Sequence, residues 1–308
     1  MGHSQAIHTP VLLQECIDSL VVRAGGHYVD CTIGTAGHAL TLLERSSPEG
    51  RLLGIDADPA AIDAARERLK AYSGRAVLVK ENFRNLQDIC IRHDFLPVDG
   101  VIFDLGMSSL QLEDRGRGFS FKVDGPLDMR FDPEQLTTAA TIVNEFPEDE
   151  LAAVLRAYGE ERRSHLIARR VVASRPIDGT QRLAEIVRQV VGRGGRIHPA
   201  TRTFQAIRIA VNQELVNLEE VLKQTVGVLK SGGRLAVLSY HSLEDRLVKS
   251  FIYRESKDCL CDSEVPICTC GHMASLSIIN RKVIKPSPAE REANPRSRSA
   301  RLRMAERL

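Results

Sequence analysis

The stretch Tyr28-Val29-Asp30-Cys31-Thr32-Ile33-Gly34-Thr35-Ala36-Gly37-His38, followed by Gly54-Ile55-Asp56-Ala57-Asp58-Pro59, constrains the fold more than any other part of the chain. A short apolar run ends at an acid, a glycine loop follows and a helix start is predicted, so backbone N–H groups point at whatever lies over the strand end. Asp56, about one βα unit later, stands where such folds hold the ribose hydroxyls of a nucleoside cofactor. A tight βα turn with no ligand would account for an isolated glycine pair; the strand ends that follow weigh against that reading.

A dinucleotide site asks for G-x-G-x-x-G, the second glycine admitting the pyrophosphate and the third letting helix and strand pack closely. Here the loop reads Gly34-x-x-Gly37, and no third glycine follows in His38-Ala39-Leu40-Thr41-Leu42. S-adenosylmethionine has no pyrophosphate to cradle, and Asp30, four residues before Gly34, suits its amino-acid end.

The rhythm continues. Asp58-Pro59 is a helix cap followed by proline at the first helical position, with Ile62, Ala65 and Leu69 on one face. Ala76-Val77-Leu78-Val79 predicts a third strand, leading to Glu81-Asn82-Phe83, where a polar residue and an aromatic could bracket an adenine. Val98 to Phe103 predicts a fourth strand closing on Asp104, so Asp30, Asp56, Phe83 and Asp104 are expected on one carboxyl-end rim. With 308 residues, 43% of them hydrophobic and 27% charged, the chain is expected to be soluble and to form two domains. No stretch resembles a signal peptide or a membrane span, and the odd count of seven cysteines favours a reducing, cytoplasmic location over a disulfide framework.

The net charge of +2 conceals an asymmetry. Between Arg156 and Arg208 stand twelve arginines and no lysine against four acids, a local balance of +8 that leaves about −6 for the rest. A basic tail follows at Arg296, Arg298, Arg301, Arg303 and Arg307. Scattered arginines often mark only a solvated helix face. The exclusive use of arginine in the segment shifts the reading, because its planar fork binds phosphate bidentately and stacks on unpaired bases, so a polyanion such as RNA is the expected partner.

The same segment interrupts the βα alternation. Leu110 to Pro133 reads as a loop, and helices are expected over Pro147 to Tyr158, Glu160 to Ser174, Thr180 to Val191 and, longer, Pro199 to Leu229. Alternation resumes at Arg234 after Lys230-Ser231-Gly232-Gly233. The expected architecture is an α/β, Rossmann-like, S-adenosylmethionine-binding sheet with an inserted α-helical domain: residues 1–109 and 210–308 form the discontinuous sheet domain, for which the resemblance given below implies an S-adenosylmethionine methyltransferase, and 110–209 the arginine-rich RNA-recognition insert.

Several ordered motifs carry a family resemblance across nearly the whole chain: His8-Thr9-Pro10-Val11-Leu12, Asp30 to His38, Asp104 to Gln111, Pro126-Leu127-Asp128-Met129-Arg130, Leu238 to Arg246 and Asn294 to Ser299. Together they resemble the bacterial 16S rRNA cytosine-N4 methyltransferases. The resemblance implies S-adenosylmethionine as donor, a decoding-region cytosine of small-subunit rRNA as acceptor, and cofactor contacts at Ala36, Gly37, His38, Asp56, Phe83, Asp104 and Gln111. The chain departs from other amino-methylating enzymes, which often carry D/N-P-P-Y/F at the fourth strand, because it has Asp104-Leu105-Gly106-Met107 there.

The exocyclic nitrogen of cytosine is a poor nucleophile, since its lone pair is delocalised into the ring. A site that methylates it must accept hydrogen bonds from N4–H and position the nitrogen in line with an already activated methyl. Asp104 is the best-placed acceptor, with Ser108, Ser109 and the segment Ser239-Tyr240-His241-Ser242, His241 included, as further candidates; each could instead be structural. Two other classes were weighed. A NAD-dependent oxidoreductase lacks its third glycine, and a non-catalytic RNA-binding or assembly protein has no need of aligned strand-end acids. Cys259, Cys261, Cys268 and Cys270, with His272, form a weak candidate metal cluster, but C-x-C spacing departs from the C-x₂₋₄-C of structural zinc sites and no metal is expected.

Overall fold

The computed structural model describes residues 10–192, 198–262 and 267–308. His8 and Thr9 of the first motif, and Arg193 and Arg196 of the arginine-rich stretch, lie outside the described residues. The chain divides into two compact units, one formed by residues 1–106 and 217–308 and the other by 107–216.

The first unit opens with α1 (Leu13–Ser19) and then alternates β1 (His27–Asp30), α2 (Gly37–Arg45), β2 (Arg51–Asp56), α3 (Pro59–Arg68), β3 (Ala76–Lys80), α4 (Leu86–Arg92) and β4 (Val98–Asp104). Asp58 caps α3 as expected, accepting from the Ala60 N–H at 3.0 Å with Pro59 at the first helical position. The second unit holds α5 (Ser109–Glu113), α6 (Ala139–Glu145), α7 (Glu148–Gly159), α8 (Ser164–Val172), α9 (Thr180–Val191) and α10 (Thr201–Asn212). The chain returns along α11 (Glu214–Val228) into β5 (Leu229–Ser239), α12 (Ser242–Glu255), β6 (Leu276–Ile278), α13 (Pro288–Ala293) and β7 (Arg301–Arg307).

The seven strands lie in the order β3-β2-β1-β4-β5-β7-β6. β1 to β5 are parallel, whereas β7 runs antiparallel to both β5 and β6. The order 3-2-1-4-5 is that of a doubly wound, Rossmann-like sheet, which fills a crevice at the strand carboxyl ends where the order reverses between β1 and β4. Both faces are buried, so the strands read as continuous apolar runs. Val29, Leu53, Val101, Phe103, Leu235 and Val237 pack with α4, α11 and α12 on one face. Tyr28, Leu52, Ile102, Ala236 and Leu238 pack with α1, α2 and α3 on the other.

Four local expectations fail for physical reasons. The stretch from Leu110 to Pro133 is not wholly loop, because Ser108 and Gln111 form a reciprocal capping box that starts α5. A helix absent from the sequence reading, α6, forms behind an analogous box of Thr138 and Thr141. The long helix expected from Pro199 to Leu229 is two helices, broken at Gln213, whose φ of 51° lies in the left-handed region. β5 begins at Leu229, earlier than Arg234, since Leu229 pairs with Val98 and Arg234 with Gly100 across a bulge that absorbs Lys230 to Gly233.

The helical unit has its own core, in which Leu151, Leu155, Ile167, Val171, Leu183, Val187, Phe204 and Ile207 are all buried. The Pro126 to Arg130 motif is part of that architecture. Met129 takes a φ of 60°, and buried Asn212 donates to the Met129 carbonyl at 2.7 Å while accepting from the Phe131 N–H at 2.7 Å. Arg130 grips Asp128 through Nε and Nη2 and donates to the carbonyls of Pro133 and Gln135. Asn212→Ala leaves a buried N–H and a carbonyl without their partner, so a loss of about 2 kcal/mol is expected. It is checked as a lower urea midpoint at unchanged slope; an unmoved midpoint would remove Asn212 from the supports of this loop.

Candidate active site

The carboxyl ends of β1, β2 and β4 bring Asp30, Asp56 and Asp104 onto one rim, and Phe83 follows the end of the neighbouring β3. The loop after β1 is shaped by its glycines. Gly34 has a φ of +48°, open to glycine at little cost, and a Cβ on Gly37 would lie 2.2 Å from Pro10 Cγ, so close packing demands glycine there. Ala36 adopts φ 59° as the cap of α2.

Asp56 ties this loop to the next. One oxygen accepts from the Gly34 N–H and the other from the Asp58 N–H, each at 3.0 Å. Although Asp56 keeps some solvent access at the strand end, the surrounding protein raises its pKa to about 6, with the Asp58 and Gly34 amides opposing that shift. Asp30 is buried more completely and is raised to about 7; the Thr32 N–H, 3.1 Å away, opposes this, while the charges of Asp104 and Asp56 add to it. The protein has therefore gathered carboxylates without supplying them enough donors.

Asp104 closes β4. Its N–H donates to Thr32 Oγ1 at 2.6 Å, and its Oδ1 accepts from the Tyr240 hydroxyl at 2.6 Å. Burial and the Asp104 charge push the Tyr240 phenol well above its ordinary value, so it is the donor in that bond. The other carboxylate oxygen, Oδ2, lies 3.8 Å from His38 Nδ1. His38 Nε2 stands 3.2 Å from the Val11 carbonyl, which can only accept, so Nε2 carries the proton. Burial lowers the His38 pKa against the pull of Asp104. Neutral His38 thus turns its Nδ1 lone pair toward the space beside Asp104 Oδ2.

The remaining predicted residues separate into other roles. Phe83 packs edge-on against Phe103, ring centroids 5.8 Å apart, and is partly buried in the core. Ser108, Ser109 and Gln111 begin α5 in the second unit, where Ser108 and Gln111 cap each other. His241 caps α12, its Nδ1 facing the Glu244 N–H at 3.4 Å and its Nε2 3.1 Å from the Glu244 carboxylate. Tyr240, not singled out from the sequence, is the residue of that segment that reaches Asp104. Its signal was its position, just past the end of the strand beside β4. Cys259, Cys261, Cys268 and Cys270 converge on the loop between α12 and β6, whereas His272 Nε2 lies 3.2 Å from the Arg254 carbonyl.

The arginines are divided between structure and surface. Arg208 forms a bidentate pair with Glu214 at 2.7 and 2.9 Å, with both side chains about nine-tenths buried. Arg163 donates to the carbonyls of Val190 and Val191 at the end of α9, and Arg175 to those of Val143 and Phe146. Arg156, Arg162 and Arg170 are exposed and have no hydrogen bond or ion pair among the described residues, whereas the charge of exposed Arg182 acts on Glu185. The basic tail is largely a sheet strand: Arg301 and Arg303 both bind Asp245, and Arg307 donates to the carbonyls of Val226 and Ser275. Burial pushes the Asp245 carboxyl up, but the two arginines outweigh it and the net shift is downward.

Comparison with known proteins places the chain in a family. The sequence pattern of the MraW methylase family matches residues 5–308. A protein of Dehalococcoides mccartyi named ribosomal RNA small subunit methyltransferase H is 54% identical over 302 residues, covering 98% of this chain and 86% of that one. Proteins of the same name from Thermomicrobium roseum and Brevibacillus brevis are 52% and 47% identical, covering 98% of this chain in both cases and 94% and 98% of their own lengths. With a doubly wound sheet, carboxylates at its strand ends and a family match that runs almost from end to end, the chain belongs to the MraW methylase family.

Proposed function

We propose that this protein uses S-adenosylmethionine to methylate the exocyclic N4 of a decoding-region cytosine in 16S rRNA, in the cytoplasm. The observation that carries this reading is the gathering of Asp30, Asp56 and Asp104 on one strand-end rim, with His38 Nδ1 3.8 Å from Asp104 Oδ2 and the pKa values of Asp30 and Asp56 raised by burial. The names of the closely similar relatives supply the substrate class, small-subunit rRNA.

The residues fit the cofactor. Asp56 has lone pairs left for ribose hydroxyls, Asp30 and the amides of the Gly34 to His38 loop suit the charged amino-acid end, and Phe83 supplies an apolar edge at the neighbouring strand. When bound, S-adenosylmethionine supplies a methyl group already activated on a sulfonium. Asp104 accepts a hydrogen bond from the cytosine amino group, holds the nitrogen in line and takes the proton it loses on alkylation. Tyr240, by donating to Oδ1, fixes the carboxylate so that Oδ2 faces the amine. Ser108, Ser109 and Gln111 shape the chain leaving β4, and His241 holds the start of α12. The exposed arginines of residues 107–216 meet the rRNA backbone, and the target base, splayed from its stack, reaches the carboxylates.

Nuclease digestion of rRNA labelled by the protein from methyl-labelled S-adenosylmethionine is expected to yield N4-methylcytidine. Any other labelled nucleoside overturns the acceptor assignment.

Asp56→Ala should weaken S-adenosylmethionine binding by about 1–3 kcal/mol, read by titration calorimetry. The pH dependence has a definite sign. Both carboxylates are ionised above their raised pKa values of about 7 and about 6, and ligand hydroxyl and ammonium donors favour the ionised forms. Affinity should therefore be highest above pH 7 and fall as the pH drops through that range; a flat profile from pH 8 to 5.5 would remove these acids from the site.

Asp104→Asn should lower the single-turnover rate on the order of 10²–10⁴-fold, exceeding any loss of cofactor affinity. A wild-type rate at saturating cofactor would return Asp104 to structure. In the helical unit the informative changes are Arg162→Glu and Arg170→Glu, because Arg163 caps a helix and Arg169 lies 3.6 Å from Glu148. Each lost phosphate contact should reduce the log–log salt slope of rRNA binding by about one unit while leaving cofactor binding intact. An unchanged slope in the double variant would place the RNA elsewhere.

A further inference from the structure

The described residues of the stretch 256–275, between α12 and β6, form no helix or strand, and none of them is buried. Its base is closed by Ser275, whose N–H donates to the Glu255 carbonyl at 2.8 Å and whose hydroxyl donates to the Glu255 carboxylate at 2.7 Å. Above that closure Ile267 and Met273 are 76% and 79% exposed. Apolar burial therefore does not hold the described part of this loop.

Four thiols meet there instead. The Sγ atoms of Cys259, Cys261, Cys268 and Cys270 all lie within 4.8 Å of one another, and all four cysteines are free. Cys259 is 3.3 Å from Cys268 and 3.8 Å from Cys270, and Cys268 is 3.6 Å from Cys270. Four sulfurs bound tetrahedrally at a Zn–S length of ~2.3 Å are about 3.8 Å apart along each edge, so these separations are close to those of a tetrahedral ion's shell. Backbone amides complete the surroundings: the N–H groups of Leu260, Cys261 and Thr269 point at Cys270, Cys259 and Cys261 at 3.3, 3.4 and 3.5 Å. N–H donors aimed at sulfur are the outer-shell arrangement that stabilises bound thiolates.

We propose that Cys259, Cys261, Cys268 and Cys270 bind one structural zinc ion that staples this loop. The C-x-C spacing, which had weighed against a metal, is accommodated because each pair contributes from a separate strand of the loop and the amides between turn toward sulfur. His272 is not a ligand; its ring lies against the end of α12. A tetrahedral set of four thiolates with no open position is the donor set of a structural zinc site. An iron–sulfur cluster would hold its thiolates further apart around its own core. On binding, each protonated thiol releases its proton to solvent.

The test uses the full chain, prepared reduced and without chelator, with zinc alone as the probe. Elemental analysis should find about one zinc per chain, falling below about a tenth in the Cys268→Ser/Cys270→Ser double variant. Replacing the ion by Co²⁺ should give the intense thiolate-to-metal charge-transfer absorption and visible bands of a tetrahedral four-sulfur site, a readout that needs no variant. Chelation should also open residues 256–275 to proteolysis. The proposal is overturned if the purified chain holds no zinc and the four thiols titrate freely, or if they are found paired as disulfides. It is equally overturned if the double variant keeps its full zinc.

Discussion

Three carboxylates on adjacent parallel strand ends repel one another, and much of the candidate site can be understood as the handling of that repulsion. The doubly wound sheet places β2, β1 and β4 side by side, so Asp56, Asp30 and Asp104 share one edge. Backbone amides relieve part of the strain at Asp56, the Thr32 amide part of it at Asp30, and Tyr240 one oxygen of Asp104. Burial, joined at Asp30 by the charges of Asp104 and Asp56 and at Asp56 by that of Asp58, outweighs this relief and raises the pKa values of Asp30 to about 7 and of Asp56 to about 6. A rim poised in this way gains most from a ligand that brings hydroxyls and a positive charge, which is the chemistry of a sulfonium nucleoside with a free amino-acid end.

The arginines obey a different economy. Their number suggests a uniform basic surface, yet guanidinium groups also serve as multi-pronged donors that can satisfy several carbonyls at once. Arg130, Arg163, Arg175 and Arg208 spend their donors within the helical unit, and Arg301, Arg303 and Arg307 do so around β7. Among the described arginines between Arg156 and Arg208, Arg156, Arg162 and Arg170 are left for a polyanion to draw on. Net charge locates the region but cannot separate these two populations.

The βα rhythm and the terminal acids of β1, β2 and β4 were legible because strand and helix periodicities differ and the runs stop at polar residues. The α3 cap at Asp58 and the span of α9 were equally plain. The capping boxes of Ser108 and Thr138 were missed because the segments they start are short and polar, with little apolar period to announce them. The break at Gln213 was invisible since an unremarkable glutamine adopts a left-handed backbone inside an otherwise unbroken amphipathic pattern. The tail read as a basic arm because its alternation, Leu302 and Met304 inward with arginines between, was masked by its charge.

By itself the sequence determined the alternating strands and helices, the acids that end the strands and the family to which the motifs point, since each of these rests on residue order and local periodicity. Only the tertiary structure decided that Tyr240 meets Asp104 across 136 positions, that His38 leaves its Nδ1 lone pair beside the same carboxylate, and that the four thiols of two C-x-C pairs lie within 4.8 Å of one another. Those facts depend on the direction in which side chains leave neighbouring strands and on how a loop folds back over itself. Residue order does not encode either until the sheet is assembled.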